Sequence, residues 1–270
     1  MIKVAHEAPI SFVDTVDAIT DYSYFLVHLF EENPAYLNWA RRIVASGRES
    51  ILDNSIFELE EAFDADKFIK WVVDLKPTWY IIPDALEDKQ QTIDNFDNWI
   101  DKGYSDVDSK PIAVVQGKSI QEIMDCYAYF DKYLFEDHMI AISFDYSFYE
   151  ELFPDEPTKY HSWMKGRQYL ISEMELQGVV NTKRKHHLLG CGLPQEFAEY
   201  ADIPWIYSLD TSNPVVCGIK GIHYEGKPNN LYGLEDKPSQ KLFELINQEL
   251  TPDQKQTIIS NIQKFKENVL

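Results

Sequence analysis

The chain has 270 residues, is 44% hydrophobic and carries a formal net charge of −20. That length suits one barrel of alternating strands and helices, which buries a large core without disulfide or metal staples. The acidic balance weighs against a partner gripped along a long phosphate backbone, which calls for a basic surface.

The first β-rich runs are residues 2–6, 24–30 and 50–53. Runs at 79–83, 111–116, 140–145, 187–190 and 205–210 bring the total to eight. They are rich in Val, Ile, Tyr, Phe and Leu and mostly continuous rather than alternating, which suits parallel strands buried on both faces. Helical spacing fills the gaps. Residues 34–44 open with Asn33-Pro34, a cap followed by a proline start. Residues 65–75 place Phe68, Ile69, Val72 and Leu75 on one face, and 89–100 do so with Ile93, Phe96 and Ile100. Residues 119–134 begin with Ser119 and Glu122, a capping box. A short helix is expected at 194–200, and two amphipathic helices at 239–250 and 252–269.

Eightfold strand–helix alternation predicts an α/β fold, a single (β/α)8 TIM-type barrel over residues 1–270. Its core spans about 1–222, with extra C-terminal helices at 239–269. A doubly wound open sheet is the alternative. The stretch 153–180 is long for one connection and is expected to hold an inserted helix over one barrel end, where it could form a lid. Cys126, Cys191 and Cys217 are widely spaced and form no CxxC pair, so reduced thiols and no zinc site of the usual spacing are expected. Met1 is followed by Ile-Lys-Val-Ala-His-Glu, charged too early for a signal peptide, and no apolar run reaches the roughly 18 residues of a membrane span. A soluble, cytoplasmic protein without a membrane partner is expected.

In such a barrel the active site lies at the C-terminal ends of the strands. The runs close on His6-Glu7, Asp53-Asn54-Ser55, Pro83-Asp84, Gln116-Gly117, Phe144-Asp145, Gly190-Cys191-Gly192 and Asp210-Thr211-Ser212. Asp commonly caps helices and opens turns. Repeated at successive strand ends, it points instead to a shared polar pocket. Carboxylates gathered there repel one another, which separates an ionised group from a proton carrier. Glycosyl chemistry needs that division: one carboxylate engages the anomeric carbon and the other moves protons to and from the base. Gln116 can donate to and accept from an amide-like purine edge. Phe57 could stack on a flat base or belong to the core. Gly190 allows a close backbone approach or a turn.

Asp53-Asn54-Ser55-Ile56-Phe57-Glu58 resembles the Asp-Ser-Gly-Gly-Phe/Tyr-Gln motif of the tRNA-guanine transglycosylase family. Val114-Val115-Gln116-Gly117 resembles its Val-Gln-Gly, and His187-Leu188-Leu189-Gly190-Cys191-Gly192 its Tyr-Leu-Met-Gly-Val-Gly. Leu209-Asp210-Thr211-Ser212-Asn213-Pro214 resembles its Phe-Asp-Cys-Val-Leu-Pro. The resemblance implies that Asp210 is the nucleophile on C1′ and Asp53 the general acid/base. It implies that Asp84 and Gln116, with Gly117 beside them, read the base edge. Phe57 and Leu189 would flank the ring, while Ser143, Phe144 and Gly190 would supply further contacts. No cofactor is implied.

The departures are informative. Ser55-Ile56 stands where the family has Gly-Gly, and the zinc segment is missing. The Thr-Arg used on tRNA is replaced after Pro214 by Val215-Val216-Cys217. These differences resemble the reduced relatives of phages and bacterial DNA-modification clusters, which exchange guanine for 7-deazaguanines in DNA. A nucleic-acid partner, DNA before tRNA, and a free purine-like base are therefore expected. Lys118, Lys220, His223 and Lys227 follow strand ends and are candidate backbone contacts, whereas Lys183-Arg184-Lys185 precedes a strand and is expected on the opposite face. The alternatives are an N-glycosidase or transferase acting on a free nucleoside or nucleotide, which the net charge favours, and a non-catalytic ligand- or partner-binding barrel.

Overall fold

The computed structural model describes residues 1–224 and 245–269. Eight parallel strands form one sheet in the order β1-β8-β7-β6-β5-β4-β3-β2. They are β1 (Lys3–Ala5), β2 (Ser23–Leu26), β3 (Ser50–Asp53), β4 (Trp79–Ile81), β5 (Lys110–Val114), β6 (Met139–Ser143), β7 (His186–Leu189) and β8 (Ile206–Asp210). Strands in sequence order, joined through helices, make this the (β/α)8 barrel expected from the alternation. The helices are α1 (Val13–Ile19), α2 (His28–Glu32), α3 (Pro34–Ala45), α4 (Ile56–Leu59), α5 (Ala65–Leu75) and α6 (Lys89–Asp101). They continue with α7 (Ile120–Tyr133), α8 (Phe148–Leu152), α9 (Lys159–Leu176), α10 (Asn213–Ile219) and α11 (Pro252–Val269). The chain divides into two compact units.

One unit comprises Tyr22–Ile142 and Met174–His187. Its strands are almost wholly buried, which explains their continuous apolar runs. Asp64, Asp88 and Ser119 cap α5, α6 and α7 by accepting from backbone N–H groups three residues on, so each loop ends where a short polar side chain satisfies the helix. The aromatic core packs Phe68, Tyr80 and Trp99 edge-on and tilted, with the Trp99 indole N–H donating to the Tyr80 hydroxyl at 3.2 Å.

The apolar run 24–30 is only half strand. β2 stops at Leu26, and the buried residues His28, Leu29 and Phe30 belong to α2. A short buried apolar run looks alike as strand or helix, and here Asn33 ends the turn by capping α3 through Ala35 N and Tyr36 N. Arg184 belongs to the basic run before β7. It is buried, pairs with Asp131 at 2.8 Å, and donates to the carbonyls of Asp131, Leu134, Phe135 and His138, so it caps the C-terminal end of α7.

The other unit comprises Met1–Asp21, Ser143–Glu173 and Leu188–Leu270. β1 pairs with β8, placing Ala5 opposite Asp210. Helix α11 packs on α10, on α1 and on a 3-10 helix at Pro194–Tyr200. The stretch expected to carry an insertion holds α9. The expected helix at 239–250 falls outside the described residues as far as 244, and 245–250 form a turn and irregular chain. Among the described residues no helix is long and apolar enough to cross a membrane.

Candidate active site at the strand ends

In the unit containing β2 to β6, Asp53, the last residue of β3, is 9% exposed. Its Oδ2 accepts from the Tyr24 hydroxyl at 2.6 Å, and its Oδ1 from the Ser55 amide. Ser55 adopts a left-handed backbone, φ 62°, where the family resemblance places a glycine. Such a conformation is costly for a residue with a Cβ and is held here by its neighbours. The next residue, Asn54, is fully buried. Its Nδ2 donates to Asp84 Oδ1 at 2.8 Å and to the Ile82 carbonyl at 3.1 Å. Asp84 Oδ2 accepts from Gln116 Nε2 at 2.7 Å, and Gln116 Oε1 from the Glu87 amide at 2.9 Å. Carboxylate and amides from the ends of β3, β4 and β5 thus form one buried network.

Phe57 sits on α4 and is 37% exposed, so it is not a core residue. Gly117 lies at the turn into α7, against the Glu122 side chain. Lys118 is exposed on the same turn. Tyr24, also stacked on His187 at 6.1 Å, was not visible as a site residue in the sequence. It lies inside an apolar run, and nothing there distinguishes it from a core tyrosine.

In the unit containing β1 and β8, Asp210 closes β8 and is 6% exposed. Its Oδ1 accepts from the Gly190 N–H at 3.3 Å. Gly190 has φ 63°, and a Cβ there would lie 2.4 Å from the Phe144 ring. Only glycine suits that combination of conformation and space. Leu189 is half-buried, at the end of β7. Phe144 is buried with its ring perpendicular to that of Trp163 of α9, and the Ser143 N–H donates to the Tyr146 hydroxyl at 3.2 Å. His6, just past β1, hydrogen-bonds the Thr211 carbonyl through Nδ1 at 2.7 Å, so Nδ1 carries the proton. Burial lowers its pKa to about 4, against the partial opposition of that hydrogen bond.

Lys220 caps the C-terminal end of α10, a helix beyond the β8 end, and His223 faces Thr257 of α11 at 3.5 Å. Lys227 lies outside the described residues. Cys126, Cys191 and Cys217 are free and buried, and burial pushes the Cys126 thiol up to about 12. Among the described residues no group of three or more His, Cys, Asp or Glu side chains could hold a metal ion. No family model matches the chain, and no curated protein matches it either.

Proposed function

We propose that the protein is a base-exchange transglycosylase that replaces guanine by a 7-deazaguanine-type base in a nucleic acid, DNA before tRNA. The observation that carries this reading is the Asn54–Asp84–Gln116 network at the ends of consecutive strands. A carboxylate beside a primary amide suits the guanine edge: the carboxylate accepts from N1–H and N2–H, and the amide donates to O6. Catalytic groups in (β/α)8 enzymes come from the C-terminal ends of several strands, where Asp53 and Asp210 also lie.

In the proposed reaction the Asp210 carboxylate attacks C1′ and the C1′–N9 bond breaks. Asp53 delivers a proton to the departing base. Asp53 then takes the N9 proton of the incoming base, whose nitrogen displaces Asp210 from C1′. Two displacements retain the stereochemistry and need no cofactor. The Gly190 N–H steadies the attacking carboxylate, and the Tyr24 hydroxyl orients the proton carrier. Phe57 and Leu189 are the apolar groups assigned to the faces of the ring. A base inside a duplex would leave the stack to reach them.

The net charge of −20 favours a second reading, the same chemistry on a free nucleoside or nucleotide. Release of radiolabelled guanine from single-stranded DNA, duplex DNA, tRNA and free deoxyguanosine separates the two. Release from a polymer alone supports base exchange in nucleic acid, and release from deoxyguanosine alone supports the small-molecule enzyme. No release from any of the four would contradict both and leave a binding barrel.

A further inference from the structure

The strand end that touches Asp210 is held from behind by a residue in the 153–180 stretch. Arg167 of α9 is 0% exposed. Its Nη1 donates to the Leu189 carbonyl at 2.7 Å and its Nη2 to the Gly190 carbonyl at 3.0 Å. Its Nε pairs with Glu196 Oε1 at 2.5 Å, and the Tyr200 hydroxyl donates to the same oxygen at 2.7 Å. Burial works against the guanidinium charge, but Glu196 and Tyr200 more than offset it, and the pKa of Arg167 lies above its ordinary value. The helix reaches this depth because its Gly166 faces Tyr149, where a Cβ would come within 2.2 Å of the ring.

A fork of donors spanning two consecutive carbonyls fixes the plane and direction of the peptide between them. That peptide is Leu189–Gly190, and its N–H is the group donated to Asp210. Lysine could not reproduce this, since an ammonium is a point charge without the planar fork.

We propose that Arg167 is a positioning residue for Asp210: it orients the Leu189–Gly190 peptide so that the Gly190 N–H faces the carboxylate, with Glu196 holding the guanidinium in place. The inference rests on the nucleophile role given to Asp210 above, and it changes the reading of the 153–180 stretch. At Arg167 the inserted helix is a strut built into the unit rather than a lid that opens over it.

The test uses the full chain. Leu189–Gly190 is the only Leu–Gly step in the sequence. Labelling leucine carbonyls with carbon-13 and glycine nitrogens with nitrogen-15 therefore yields one cross-peak, that of the Gly190 amide. In the parent, Asp210→Asn should displace this peak. Removing Arg167 alone would strand the Glu196 charge and risk unfolding, so the informative variant is Arg167→Met with Glu196→Gln, which removes both charges. In that background the displacement by Asp210→Asn should vanish. The kcat for base exchange should fall on the order of 100-fold with KM little changed, as for a lost supporting contact that misplaces a reacting group. Arg167→Lys should recover only part of kcat. A Gly190 peak that still responds to Asp210→Asn in the paired variant, or an unchanged kcat, would overturn the proposal. A parent without exchange activity would overturn the base-exchange reading instead, and the cross-peak alone would then decide whether Arg167 sets this peptide.

Discussion

The two units hold their strand ends by different means. At the ends of β3, β4 and β5 the contacts run between side chains, with neutral amides of Asn54 and Gln116 on the Asp84 carboxylate. At the ends of β7 and β8 the contact to Asp210 comes from backbone, and a buried ion pair fixes that backbone. Both arrangements are buried, but the first is made of side-chain carboxylate and amide groups at three strand ends. The second buries its charges away from solvent and exposes only their effect on one peptide. The amide network is therefore suited to recognition, and the ion-pair scaffold to holding a reactive group still.

The contrast has energetic consequences, largest first. Breaking a buried ion pair from one side strands a charge, so Arg167→Ala should lower unfolding free energy by about 3–5 kcal/mol. Restoring neutrality with Glu196→Gln should recover much of it. Denaturant midpoints of the single and paired variants check this, and equal loss in both would mean that the charge is not what holds the scaffold.

A smaller effect belongs to His6, beside Thr211 in the same unit. Its pKa is lowered to about 4 in the fold, against 6.5 for the free side chain. Between those values the unfolded chain binds the extra proton, so the neutral histidine's contribution is complete above 6.5 and declines as pH falls toward 4. A fully buried shift of this size amounts to roughly 3 kcal/mol at most. His6→Asn should flatten the fall in urea midpoint across that range, and an unchanged slope would assign it to other groups.

In the amide network the losses are those of single hydrogen bonds. Asn54→Ala removes donors to Asp84 and Ile82 and should cost about 2 kcal/mol, with weakened discrimination among purine bases. Tyr24→Phe removes one hydroxyl from Asp53 and should cost about 1 kcal/mol. If it acts on the proton carrier, kcat should drop more than stability does, and the pH–rate profile should move. A profile that stays put would make Tyr24 a packing residue.

Much of the fold was legible because most strands are short apolar runs, several closed by a polar residue such as Asp53 or Asp210, and because Asn33 and Ser119 mark helix starts. The run at 24–30 misled because Val27, Leu29 and Phe30 suit a buried strand or a buried helix alike. α10 was missed because Asn213–Ile219 is short, buried and without polar alternation. The carboxylates at strand ends stood out, since an Asp closing an apolar run needs a reason. Their supports did not. Tyr24 looks like core, and Arg167 acquires its meaning only from carbonyls more than twenty residues away in sequence. One signal was available: Arg167 shares its helical face with the buried Leu170 and Ile171, where an arginine requires a buried partner.

The most direct test of the central claim is intact-protein mass spectrometry of the parent and Asp210→Asn after incubation with guanine-containing DNA, followed by peptide mapping. A glycosyl adduct is expected in the parent, mapped to Asp210, and none in Asp210→Asn, with base exchange reduced by about 10⁴-fold or more, as for loss of a covalent nucleophile. A variant as active as the parent, or an adduct on another residue, would contradict the assignment of Asp210 as the nucleophile.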